Sequence, residues 1–174
     1  MSACQYLDQG LIVEAEILSK ILVEVASKGH SLLVDKLISY GANIDHRDKY
    51  GFTALLLAST HGHIDTVTIL INHGADIHCK TKGGDTALIW AAYSGHTHTV
   101  NLLLQHGADI HCKTSLGYAA LMRAALSGHT HIVTLLIQQG ADIHCKNRLG
   151  QTALSIAQYH HHTHIVDIIN DYAV

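Results

Sequence analysis

The sequence predicts an all-helical solenoid, a row of short helix pairs laid side by side. Three observations carry this. The phrase Gly-Ala-Asn/Asp-Ile begins at Gly41, Gly74, Gly107 and Gly140, a constant step of 33 residues. Gly-His pairs keep the same step at Gly29, Gly62, Gly95 and Gly128, and His161-His162 closes the series. Between these marks the apolar residues fall at helical spacing, in runs too short for a helix to persist alone in water. A fixed period of this size signals one supersecondary unit stacked on its own copies.

The stretch Thr81 to Lys113 shows how a unit is built. It opens with Thr81-Lys82-Gly83-Gly84-Asp85, a glycine-bearing turn without periodicity. Thr86 offers a capping hydroxyl to a short helix over Ala87-Leu88-Ile89-Trp90-Ala91-Ala92, and Gly95 ends it. Thr97 is expected to cap a second helix whose apolar face is Val100, Leu102, Leu103 and Leu104. Gly107 closes that helix, and Ala108-Asp109-Ile110 leads out to the next turn. Each helix must borrow stability from its neighbours, which is the physical reason for repetition.

Thr-Ala-Leu at Thr53, Thr86 and Thr152, Gly-His, a Leu/Ile-rich helix and Gly-Ala-Asp-Ile at a 33-residue step together resemble the ankyrin repeat. The likeness spans residues 15–174 and implies helix pairs joined by short β-hairpin-like turns. It divides the chain into an N-terminal cap at 15–47, full repeats at 48–80, 81–113 and 114–146, and a C-terminal cap at 147–174. The first unit has Ala15 to Ile21 in place of the glycine turn and capping threonine. Residues 1–14 are expected to add a helical segment over the open end. The sequence departs from the family in having no proline, and in Ala119, which lacks the capping hydroxyl.

Composition narrows the function classes. Apolar residues make up 48% and charged residues 14%, which excludes disorder. A formal charge of −3 gives no broad basic field for nucleic acid. The stretch Thr86 to Ala108 has no Asp, Glu, Lys or Arg, but Gly95-His96, His98 and His106 interrupt it, so no membrane span is expected. Cys79, Cys112 and Cys145 again lie 33 apart. At neighbouring-helix distances of roughly 8–10 Å they exceed disulfide reach, which predicts free thiols and a reducing, cytoplasmic setting. A monomer is expected.

Seventeen histidines raise a metal or catalytic reading. By the family likeness His30, His63, His96, His129 and His162 sit at the inter-helix turn and bond local backbone. His78, His111 and His144 each precede a cysteine, yet two ligands per repeat fall short of a zinc set. His160 and His164 would share a face in one helix, where adventitious zinc, nickel or copper could bind. No phosphate loop, nucleophile elbow or His-Glu-x-x-His pattern occurs, so no enzyme, catalytic residue, metal site or cofactor is expected. The family further implies an asparaginyl hydroxylase motif from Leu70 to His78, Leu103 to His111 and Leu136 to His144, with His in place of Asn. Ordinary turn residues are the preferred reading there.

In ankyrin proteins the variable surface is the turn tips and the inner face of the first helix. Here the positions that change between repeats include Tyr50, Phe52, His61, Asp85, Trp90, Tyr93, Leu116, Tyr118, Arg123, Leu126, Leu149 and Tyr159. Six of the nine Phe, Tyr and Trp residues fall among them, and Tyr, Trp and Arg dominate binding hot spots. The expectation is a protein-binding face centred on Tyr93, Tyr118, Arg123 and Leu126, serving a scaffold, recruiter or inhibitor. Two other classes stay open. One is a secreted bacterial effector working in a host cytosol. The other is a metal- or pH-responsive module, since protonating all 17 histidines would carry the formal charge from −3 to +14.

Overall fold

The computed structural model describes residues 15–173, so the expectation for residues 1–14 lies outside the described residues. Ten helices follow one another in pairs: α1 (Ala15–Ser27) with α2 (Ser31–Ser39), α3 (Ala54–Thr60) with α4 (Ile64–Asn72), α5 (Ala87–Ser94) with α6 (Thr97–Gln105), α7 (Ala120–Ser127) with α8 (Thr130–Gln138), and α9 (Ala153–Tyr159) with α10 (Thr163–Tyr172). First helices pack on first helices and second on second, so the molecule is a two-layer helical stack. α1 runs for 13 residues, while the other first helices have 7 or 8. Glu16–Lys20 and Glu24–Lys28 pairs support its exposed face.

The first helices start where the sequence says. Thr53, Thr86 and Thr152 sit in extended backbone and their hydroxyls accept the N–H of Leu56, Ile89 and Ser155. Ser155 returns the bond by accepting the N–H of Thr152. Ala119 adopts the same conformation (φ −90°, ψ 167°) with no side chain to cap α7. Ala119→Thr is therefore expected to raise stability by about 1 kcal/mol. A thermal melt of the variant checks it, and an unchanged midpoint refutes it.

The second helices start differently from the expectation. Thr97 is the first helical residue of α6, not its cap; His96 occupies the cap position and makes no side-chain capping bond. Its ring is turned to the preceding unit instead. Nε2–H of His63, His96, His129 and His162 donates to the carbonyl of Ser27, Thr60, Tyr93 and Leu126 at 3.0, 3.0, 3.0 and 3.2 Å. These partners lie 36 residues back, so for these four histidines the expected local bond is an inter-repeat one. The acceptor is a carbonyl, so Nε2 must carry the proton.

His161 stands at the position held by Gly62, Gly95 and Gly128 and is the single non-glycine residue with positive φ (60°) among the described residues. A Cβ in that left-handed region is strained. His161→Gly is expected to gain about 1 kcal/mol, since glycine adopts this left-handed conformation without a Cβ penalty. Urea denaturation reads the gain; a loss of stability would reject it.

The core runs in columns along the stack. Leu37, Leu70, Leu103, Leu136 and Ile169 form the spine of the second layer, each at most 2% exposed. Leu55, Leu88 and Leu121 line the first layer, where Ala58, Ala91, Ala124 and Ala157 keep the helix backbones close. Two buried hydroxyls break the pattern: Ser59 Oγ and Thr66 Oγ1 have no partner. Ala26, Ala92 and Ala125 occupy the position of Ser59, and Ile132 and Ile165 that of Thr66.

Candidate functional site

Four hairpins project from the stack, each closed by the same local chemistry. Backbone N–H groups of Asp48, Thr81, Thr114 and Asn147 donate to the carbonyls of Phe52, Asp85, Tyr118 and Gln151 at 2.9–3.0 Å. The side chain that opens each turn folds back on it. Asp48 accepts from the N–H of Tyr50 and Phe52, and Asn147 accepts from Leu149 and Gln151. Thr81 and Thr114 hydroxyls accept from Asp85 and Tyr118. Neighbouring tips are then tied together: Lys82 N–H to Tyr50 carbonyl, Ser115 to Gly83, Arg148 to Leu116, at 2.8–3.1 Å. The tips are a rigid row rather than loose loops.

Three repeat columns converge beside this row: Phe52, Asp85, Tyr118, Gln151; Leu57, Trp90, Arg123, Ile156; and Thr60, Tyr93, Leu126, Tyr159. Phe52 lies against Trp90 at 5.8 Å between ring centroids, and Trp90 meets Tyr93 edge-on at 5.9 Å. The Arg123 guanidinium stands over the Tyr93 ring at 5.5 Å and the Tyr118 ring at 4.7 Å. Its Nη2 reaches Oδ1 of Asp85 at 3.4 Å, and Tyr118 Oη donates to Gln151 Oε1 at 3.5 Å. One chain of contacts thus links Phe52, Trp90, Tyr93, Arg123 and Tyr118 across three repeats.

Placement of the sequence-chosen residues is uneven. Leu149 and Tyr159 are both 76% exposed, and Tyr50, Tyr93, Leu116 and His61 are also open to solvent. Phe52, Trp90, Tyr118, Arg123 and Leu126 are half-buried. Asp85 is only 8% exposed, so its carboxylate faces Arg123 and Thr81 rather than solvent. Ile156, in the Trp90 column, is buried and closes the site at the C-terminal end. The Arg123–Asp85 pairing and the Tyr118–Gln151 contact are what sequence reading missed. The signal for the latter was present: Gln151 lies one period beyond Tyr118.

Among the described residues the histidines and cysteines do not converge on one site. His160 is the cap residue after α9 and His164 lies inside α10, so the expected shared helical face does not exist. His160 instead stacks near His162 at 6.1 Å. Among the described residues no group of three or more His, Cys, Asp or Glu side chains converges on a point. Cys79, Cys112 and Cys145 are free. Burial, and then its bond to Asp76, push the Cys79 thiol up to about 11, and burial raises Cys112 and Cys145 as well. Such thiols stay protonated and are poor nucleophiles and poor ligands. Asp76 and Asp109 are held below the usual carboxylate range, chiefly by the N–H of His78 and His111. Their small contribution to stability is present above the ordinary Asp range and fades as pH falls through the depressed value. No described helix is long and apolar enough to cross a membrane.

A family model described as ankyrin repeats (3 copies) matches residues 22–114 and again residues 106–173. The chain belongs to the ankyrin-repeat family. Ankyrin repeats are in general non-enzymatic modules for protein–protein interaction. In this ankyrin-repeat chain the hairpins and first helices carry the aromatic and guanidinium cluster. Comparison with curated proteins gives no match.

Proposed function

We propose that this ankyrin protein is a non-enzymatic binding module that holds another protein on its concave face and hairpin tips, as a scaffold, recruiter or inhibitor. It works as one stack of five units (15–47, 48–80, 81–113, 114–146 and 147–174), and its free thiols fit a reducing compartment. The observation that carries the reading is the contact chain from Phe52 and Trp90 through Tyr93 and Arg123 to Tyr118. These are hot-spot residue types, and their mutual packing removes the rotamer freedom that binding would otherwise have to freeze. Exposed Leu116 and Leu149 on adjacent tips add apolar area beside the cluster.

The Tyr93→Ala/Tyr118→Ala variant is expected to lose capture of the partner from cell lysate by more than about tenfold, since each ring is an anchor worth over ~1 kcal/mol. Tyr93 is exposed and Tyr118 is half-buried against the core, so the thermal melt should fall by only a few degrees and the folded fraction at the assay temperature should stay that of the parent. Equal capture by both proteins would refute the assignment.

A further inference from the structure

The charge pattern of the stack indicates what kind of segment lies on it. Beyond residue 40, every lysine and arginine stands on a hairpin or an inner helix; α4, α6, α8 and α10 hold none. Arg47, Lys80, Lys113 and Lys146 form one column at the 33-residue step. Lys49, Lys82 and Arg148 form a second beside it. All seven are exposed, and among the described residues none has a carboxylate within salt-bridge distance. By contrast Lys20 and Lys28 on α1 have glutamate partners at 2.8 and 2.6 Å.

Carboxylates are present in the same hairpins, but each is committed elsewhere. Asp76, Asp109 and Asp142 accept the backbone N–H of His78, His111 and His144. Asp48 caps its own turn, Asp45 accepts the N–H of Asp76, and Asp85 serves Arg123. The Arg47 guanidinium is turned back onto the Lys80 carbonyl and Cys79 Sγ, while the exposed lysines and Arg148 have no carboxylate within 4 Å among the described residues, on tips whose spacing is fixed by backbone bonds between hairpins.

We propose that the partner segment is an extended acidic peptide running along the stack with a carboxylate at every third residue. Packed helices of neighbouring repeats lie about 8–10 Å apart, and an extended chain of polyproline II geometry advances about 3.1 Å per residue with about three residues per turn, so three residues match one repeat and every third side chain lies on one face. Residues between the carboxylates face Leu116, Tyr118 and Tyr93. The inference rests on the proposed binding surface and adds the chemistry of its occupant.

The test uses fluorescence anisotropy with three labelled probes: a peptide repeating Glu-Ser-Val, a peptide of the same composition with its glutamates in one block, and oligo-dT of equal charge. The repeating peptide should bind and weaken steeply as NaCl rises, because exposed pairs are screened. The block peptide should bind at least about threefold more weakly, having fewer pairs in register. Lys80→Gln/Lys113→Gln should cost about three- to tenfold with an unchanged melt. Equal affinity for the block peptide, tighter binding of oligo-dT, or indifference to the two substitutions would each overturn the proposal. If Tyr93→Ala/Tyr118→Ala abolishes partner capture while these lysines prove irrelevant, the surface stands and the acidic occupant falls.

Discussion

Gly95→Ala is expected to destabilise the protein by about 3 kcal/mol, against about 1 kcal/mol for Gly107→Ala. The two glycines share nearly the same left-handed backbone, φ +88° and +86°. They differ in what a Cβ would meet. At Gly107 nothing lies within 4 Å; at Gly95 the Cβ would stand 2.7 Å from Cε1 and 3.0 Å from Nδ1 of His129. The ring cannot swing away freely, because its Nε2–H is bonded to the Tyr93 carbonyl at 3.0 Å. So Gly107→Ala incurs the conformational cost alone, while Gly95→Ala adds overpacking at a repeat interface. For a chain of this size the larger loss lowers the melting midpoint by roughly 6–12 °C. The double variant Gly95→Ala/His129→Ala should recover part of it, since the clash goes and only the backbone strain and the lost bond remain. Equal melts for the two single variants would show that the ring does not require the glycine.

Leu103→Ala should cost about 2–5 kcal/mol and also change the shape of the unfolding transition. Leu103 is fully buried in α6, with Leu70 and Leu136 in the equivalent places on either side. In a stack where each unit touches only its neighbours, a cavity in the middle weakens both flanking interfaces at once. Unfolding followed by circular dichroism should broaden or split, with a reduced slope against denaturant. Ile169→Ala, at the last position of the column, removes a similar side chain from α10 but weakens one interface. It should lower the midpoint less and keep a single transition. The same loss from both substitutions would mean that stability is not transmitted from neighbour to neighbour along the stack.

Much of this was legible in one sequence because the period supplied several copies of each observation. Thr53, Thr86 and Thr152 announced the starts of α3, α5 and α9 by a local rule, a hydroxyl capping a nearby N–H. Ala119 was recognisable as the exception by comparison with them. The tip and first-helix positions likewise stood out as those that vary between repeats. What failed did so where residues act across the repeat boundary. The Gly-His pair read as a local turn device, whereas the rings of His63, His96, His129 and His162 bond the repeat before them. Arg123 and Asp85 lie 38 residues apart, an offset no local rule would single out. His160 and His164 looked like one helical face although the period already placed His161-His162 at the turn between α9 and α10.

The sequence by itself determined the unit: its length, its two helices, its turns and the apolar faces that cannot stay folded alone, since these follow from short-range propensity, capping and spacing. Only the tertiary structure decided why Gly95 cannot bear a side chain, which carbonyl each histidine holds, and that Phe52, Trp90, Tyr93, Arg123 and Tyr118 form one surface. Those facts depend on the offset at which one unit settles against the next. That offset is set by packing of whole helices, and no stretch of chain within a single repeat encodes it.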